Sequence, residues 1–163
     1  MAAEYKISPL SEDNAREIIT WQYEPPYDLY DLAPENLPGL LNPDYRYHQV
    51  LNDDGILVGY CCFGIDAQVP GGEYLKDEPE VIDIGVGMRP SLTGQGSGTT
   101  YVREILDYCF VTYRPEVFRA SIARFNQRSL NTFQNLDFKI QGNFIRELGF
   151  IEFYQLERPA KEE

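Results

Sequence analysis

The chain has 163 residues, 43% of them hydrophobic and 13% aromatic, which is enough apolar surface for one compact domain and too little length for two. Its 25% of charged residues is an ordinary globular share and excludes a disordered acidic tail or a low-complexity fibre. Twenty-six acidic against 14 basic residues leave a net charge of −12, a field that argues against nucleic acid or membrane as partner and favours cationic molecules, amines among them.

Glu4 to Ile7, with Tyr5 and Ile7 on one face, reads as a short strand. Ser11 follows as a helix N-cap, with Glu12 and Asp13 in the first turn where the helix dipole favours negative charge. Ala15, Ile18, Ile19 and Gln22 set the face of that helix, and Pro25-Pro26 stops it. Residues 24–44 contain Pro25, Pro26, Pro34, Pro38 and Pro43 with Tyr27, Tyr30 and several leucines. They predict an irregular or short-helical insertion that packs.

Tyr45 to Leu51, the turn Asn52-Asp53-Asp54-Gly55, and Ile56 to Ile65 predict a β-hairpin, because an Asx-Gly cluster supplies the angles of a tight reversal. A polar loop over 66–79, rich in proline and glycine, leads to a strand at Glu80 to Met88. Arg89 to Gly96 is a glycine-rich connection into a helix over Gly98 to Tyr113. Val102, Ile105, Leu106, Cys109, Phe110 and Tyr113 form one stripe of that helix. Val117 to Ile122 is a strand, Ser129 to Leu136 a helix, and Phe138 to Glu147 with Phe150 to Glu157 a second hairpin turning at Leu148-Gly149. The order β-α-β-β-β-α-β-α-β-β is an α/β (α+β) mixture in a single domain, residues 1–163, with no internal repeat and a short tail.

Cys61, Cys62 and Cys109 are an odd number, two of them adjacent and on opposite faces of a strand, so no disulfide framework is expected. His48 is the single histidine and has no second imidazole with which to share a zinc ion, so no metal is expected. Met1 to Leu10 lacks a basic start and an apolar stretch, and no run of 18 apolar residues occurs; the expected location is cytoplasmic.

The stretch from Val81 to Gly98 carries the chemistry: a strand running into a glycine-rich turn that opens an amphipathic helix. Gly94, Gly96 and Gly98 remove Cβ atoms, so that backbone N–H groups can converge on an anion at a helix N-terminus. The alternative is a turn selected for its angles alone. Both usual nucleotide motifs fail: Thr99, not lysine, follows Gly98, and the residue three after Gly96 is Thr99, not glycine.

These residues resemble the GNAT superfamily of N-acetyltransferases, whose Q/R-x-x-G-x-G/A turn is matched by Thr93-Gly94-Gln95-Gly96-Ser97-Gly98 in spacing and glycines. Thr93 departs from the Gln or Arg of the first position. A second motif, N-x-x-A-x-x-x-Y-x-x-x-G-F, is matched in its proper place by Asn126, Ser129, Phe133, Asp137 and Phe138. Two motifs in order, covering about residues 4–157, imply a mixed central sheet with a splayed strand pair and flanking helices.

The resemblance implies an acetyl-CoA-dependent N-acetyltransferase acting on a primary amine of a small metabolite, an antibiotic or a protein terminus, with a homodimer left open. The turn from Gly94 through Gln95, Gly96, Ser97 and Gly98 to Thr99 would hold the pyrophosphate. Val86, Gly87 and Met88 would pair with the pantetheine arm, the strand splaying at a bulge favoured by Gly85 and Gly87. Asn126 would contact the coenzyme from the far wall, and Phe133 fills the place of a tyrosine that protonates the leaving thiolate. Tyr101, Tyr108 or Tyr154 would have to replace it. Asp83 is the expected proton acceptor and Glu80 the fallback. Trp21, Tyr27 and Tyr30, with Tyr23 and interleaved Glu24, Asp28 and Asp31, are the expected acceptor site. A non-catalytic acyl-CoA-binding module of the same fold is the alternative.

Overall fold

The seven expected strands all form, and the computed structural model, which describes residues 4–74 and 80–161, joins them into one sheet. The strands are β1 (Tyr5–Pro9), β2 (Tyr47–Asn52), β3 (Leu57–Phe63), β4 (Val81–Met88), β5 (Val117–Ala123), β6 (Lys139–Arg146) and β7 (Ile151–Pro159). Their order across the sheet is β1-β2-β3-β4-β5-β7-β6. β7 therefore lies between β5 and β6, and every pairing is antiparallel except β4 with β5. A parallel pair needs a crossover, and the helix α3 (Gly98–Tyr113) provides it. Residues 75–79 of the expected polar loop, Pro79 among them, and residues 162–163 of the expected tail lie outside the described residues.

Strand alternation divides the apolar side chains between two faces. Val50, Cys61, Phe63, Ile82, Ile84, Phe118, Ala120, Ile122 and Leu156 pack under α3 and α4 (Gln127–Asn135), forming the main core. Tyr47, Leu51, Leu57 and Tyr60 face the other way, toward α1 (Glu12–Ile18) and α2 (Leu37–Leu40). The expected stripe of α3 is buried at Val102, Ile105, Leu106 and Cys109, and Tyr101 joins it at 2% exposure.

Local chemistry explains the boundaries. Ser11 caps α1, its Oγ accepting from the Asn14 N–H at 3.2 Å. The helix ends at Ile18, earlier than Pro25-Pro26 would stop it, because Thr20 N–H and Trp21 N–H bond back to Glu17 and Ile18 carbonyls in a tightened last turn. Gln22 is consequently exposed beyond the helix. The proline-rich segment forms the short turns Tyr27–Tyr30, Pro34–Asn36 and Pro43–Tyr45 around α2, and Leu40 anchors it at 4% exposure. α4 starts two residues before the expected Ser129, since Asn126 caps it, Oδ1 accepting from Ser129 N–H.

The cysteines are free and buried. Cys61 belongs to the main core, and Cys62 points the other way, toward Gly85. His48 is a core histidine: Nδ1–H donates to the Arg46 carbonyl at 2.8 Å, and the ring packs on Phe63 and Tyr108. Burial holds its pKa below the ordinary value. Among the described residues no helix is long and apolar enough to cross a membrane, and no cluster of His, Cys, Asp or Glu is placed to hold a metal ion.

Candidate functional site

Among the described residues, β4 has strand partners on both sides only at its beginning. Val81, Ile82 and Asp83 pair with Val117, Phe118 and Arg119 of β5, after which β5 continues beside β7 and leaves β4. On the other side β4 stays paired with β3 through Met88. Gly64 N–H donates to the Asp83 carbonyl and Arg89 N–H to the Val58 carbonyl, so odd-numbered residues point their backbone groups at β3. By alternation, the N–H and C=O of Val86 and Met88 face the gap opened by β5. This is the expected splayed pair.

The splay arises without the expected bulge: the β3–β4 register runs unbroken from Ile84 to Met88. The glycines answer a packing need instead. A Cβ on Gly85 would lie 2.8 Å from Cys62 Sγ, and one on Gly87 would run into the ring of Tyr60.

The open edge leads into the glycine turn. Gly94 and Gly96 have φ of +73° and +82°, left-handed values that suit glycine, and nothing among the described residues approaches the Gly96 Cβ position within 4 Å. Gln95 bonds the Ser91 carbonyl and stabilises the turn from within. Ser97 occupies the N-cap position of α3 without a side-chain cap bond, which leaves first-turn amides such as that of Thr99 open to an anion. The turn is also a cradle built from glycine: a Cβ on Gly98 would lie 2.9 Å from Thr132 Oγ1. A pyrophosphate fits these residues.

Asp83 stands where the two strands part. It is 4% exposed, and its oxygens accept from Arg119 Nε at 2.7 Å, a terminal Arg119 nitrogen at 3.0 Å and Gln68 Nε2 at 3.0 Å. These bonds hold the Arg119 guanidinium above its ordinary pKa. The guanidinium also lies 5.0 Å from the Tyr74 ring centroid, and the Tyr74 hydroxyl is 2.6 Å from Ser121 Oγ. Glu80 is exposed and precedes the paired stretch; its carbonyl takes the N–H groups of Glu116 and Val117. Three paired residues separate it from the gap.

The expected acceptor residues do not stay together. Trp21 packs in the smaller core at 7% exposure, beneath the Arg89 guanidinium, and its Nε1–H has no partner among the described residues. Tyr27 and Tyr30 instead lie against Phe125, and Tyr30 accepts from Asn126 Nδ2 at 3.1 Å. They join the coenzyme-side residue Asn126, whose two side-chain ends serve the α4 cap and this bond. Tyr23 reaches the open edge, donating to the Met88 carbonyl at 2.7 Å; burial and then Asp31 push its hydroxyl up to about 12.

Phe133 is a core residue at 1% exposure, edge-on to Phe138. Of the proposed replacement acids, Tyr101 donates to the Gly87 carbonyl at 2.5 Å from within the core, and Tyr108 packs on His48 and Phe63. Tyr154 lies on β7 opposite Ile122, against the main core. Sequence reasoning missed Arg119, Gln68, Tyr74 and Ser121. Arg119 carried a signal, a lone cation in an otherwise apolar strand; the others carried none.

The model of the acetyltransferase (GNAT) domain family matches residues 2–139. Three solved structures illustrate the likeness of fold. An acetyltransferase of the GNAT family from Bacillus anthracis is 16% identical with a TM-score of 0.76, covering 99% of this chain and 98% of that one. A chimera of the Vibrio cholerae spermidine N-acetyltransferase with hSSAT is 15% identical, TM-score 0.75, covering 96% of each chain. A dodecameric spermidine N-acetyltransferase from Vibrio cholerae is 15% identical, TM-score 0.70, covering 98% of this chain and 95% of that one. No curated protein sequence matches.

Proposed function

The chain belongs to the GNAT acetyltransferase family and is an acyltransferase, and from that premise we propose that it moves the acetyl group of acetyl-CoA to a cationic primary amine of a small molecule or peptide. The observation that carries this reading is the continuous path from a strand edge that β5 leaves at Val86 and Met88, where the Tyr23 hydroxyl holds the Met88 carbonyl, to a glycine turn with open amides. Phosphates bound at Gly94 to Thr99 place the pantetheine arm along that edge. The four residue steps from Met88 back to Ile84 span roughly 13 Å, which puts the reacting end near the point where β4 and β5 part.

Acetyl-CoA supplies an activated acyl carbon there. The chain must present a neutral amine to it, and an amine of pKa near 10.4 is only about 1 part in 10³ neutral at pH 7. Asp83 is not free for that proton, since Arg119 and Gln68 occupy both carboxylate oxygens and protonation would break the buried pair. Its role is to hold Arg119 under Tyr74. Glu80 lies on the wrong side of the paired stretch. Ser121, two residues past Arg119 on the same strand face and beyond the last β4 pairing, is bonded to the Tyr74 hydroxyl, and this pair would relay the amine's proton to solvent. The net charge of −12 and the exposed Glu24 and Asp28 beside the tyrosines attract a cation.

Thiol release from acetyl-CoA, measured against a panel of polyamines, amino acids and peptides, tests the reading. Release that depends on one class of amine supports it. Tight binding of acetyl-CoA without release for any amine favours the non-catalytic module, and absence of binding removes both.

A further inference from the structure

The glycine turn lacks the charge that its own motif position would bring. Thr93 stands there, and its hydroxyl turns back to the Pro90 carbonyl at 2.8 Å. In a chain of net charge −12, amides alone must then hold a polyanion against the field of the whole protein.

A cation arrives from a different element. Arg128 is the second residue of α4, and a Cβ built on Gly94 would lie 3.2 Å from its Cζ and 3.3 and 3.5 Å from its terminal nitrogens. The guanidinium therefore rests against the turn. Thr132, four residues later and on the same helix face, touches Gly98, so two contacts one helical turn apart dock α4 onto the turn. The guanidinium lies 4.7 Å from the Tyr27 ring centroid, which supports its plane. The other arginines near the site are engaged: Arg89 with Glu17 and the Leu57 carbonyl, Arg119 with Asp83, Arg124 with Glu152. Arg128 makes no ion pair among the described residues.

We propose that Arg128 binds the phosphates of the coenzyme, supplying from α4 the charge that Thr93 does not. This rests on the acetyl-CoA reading above. Five fixed N–H donors beside a ring of amides suit an anion with several oxygens, and a planar guanidinium can keep its stack on Tyr27 while its edge donates. Tyr27 belongs to the segment that carries the acceptor tyrosines, so phosphate binding and the position of that segment share one side chain.

Calorimetry with acetyl-CoA and with S-acetylpantetheine, which has no phosphate, tests the assignment. Arg128→Gln should weaken acetyl-CoA binding on the order of 10- to 100-fold and flatten its dependence on salt. S-acetylpantetheine binding should stay unchanged, and Arg128→Lys should recover part of the loss. Equal losses for both ligands would make Arg128 a structural residue and overturn the proposal, as would unchanged acetyl-CoA affinity with an unchanged salt slope. A wild-type chain that binds neither ligand overturns the acetyl-CoA reading itself, a result distinct from failure of the Arg128 assignment alone.

Discussion

Residues 81–83 and 84–88 belong to one strand and live in different surroundings. The first three have β3 or its extension on one side and β5 on the other, and the charge they carry, Asp83, is buried against Arg119. The remaining five keep β3 and lose β5, and their composition, Ile-Gly-Val-Gly-Met, has no charge at all. The Tyr23 hydroxyl donates to the Met88 carbonyl; the other outward groups, the Val86 N–H and C=O and the Met88 N–H, are the ones a ligand can pair with, because unpaired backbone groups in a half-buried gap are costly. The paired half fixes where the gap begins; the open half is what a ligand can read.

Cutting the anchor should have the largest effect. Asp83→Ala leaves the Arg119 guanidinium buried without its carboxylate, and about 3–5 kcal/mol of stability should be lost, seen as a lower urea midpoint. Replacing both partners with apolar residues should restore most of it, a result that a catalytic base at Asp83 does not predict for stability. If Asp83→Ala is as stable as wild type, the boundary of the gap is not set by this pair.

The open half is tested next by its extension. Gly96→Val strains a left-handed position in free space, so acetyl-CoA affinity should fall on the order of tenfold or more through the loss of the turn's amide geometry, with the core intact. Unchanged affinity would move the phosphates away from the turn. Phe133→Tyr sharpens the contrast between core and gap. The position is 1% exposed, and a hydroxyl added there should cost about 1–3 kcal/mol by thermal melting while coenzyme affinity holds. A stability gain would show that the hydroxyl reaches a polar partner.

The smallest effect concerns His48, on the side of the sheet away from the gap's polar cluster. Its folded pKa lies below the unfolded 6.5, so the unfolded chain binds the extra proton first. Stability should be fully present above about pH 6.5 and decline as the pH drops through that value. His48→Gln should flatten this decline, and urea midpoints from pH 7.5 to 5 measure it. An unaltered slope would assign the decline to other groups.

These contrasts explain what could be read in advance. All seven strands and the two long helices follow from period and turn chemistry, which are local. The order β5-β7-β6 and the parting of β4 from β5 are decided by which strands pair, and no window of sequence contains that. The glycine turn was legible because Gly94 and Gly96 require left-handed angles, a local demand. Asp83 was legible as a special residue but not in its role, since its partners Arg119 and Gln68 lie 36 and 15 positions away. Trp21 and Tyr27 are six residues apart and looked equivalent; packing sent one into the core and the other to Phe125 and Arg128.

Backbone amide exchange along β4, with and without acetyl-CoA, tests the central claim most directly. In the free protein the N–H groups of Gly85 and Gly87, bonded toward β3, should exchange slowly, and those of Val86 and Met88 should exchange fast. Saturating acetyl-CoA should slow Val86 and Met88 and leave the two glycines as they were. Protection of all four amides in the free protein, or coenzyme binding that leaves Val86 and Met88 exchanging fast, would contradict the account.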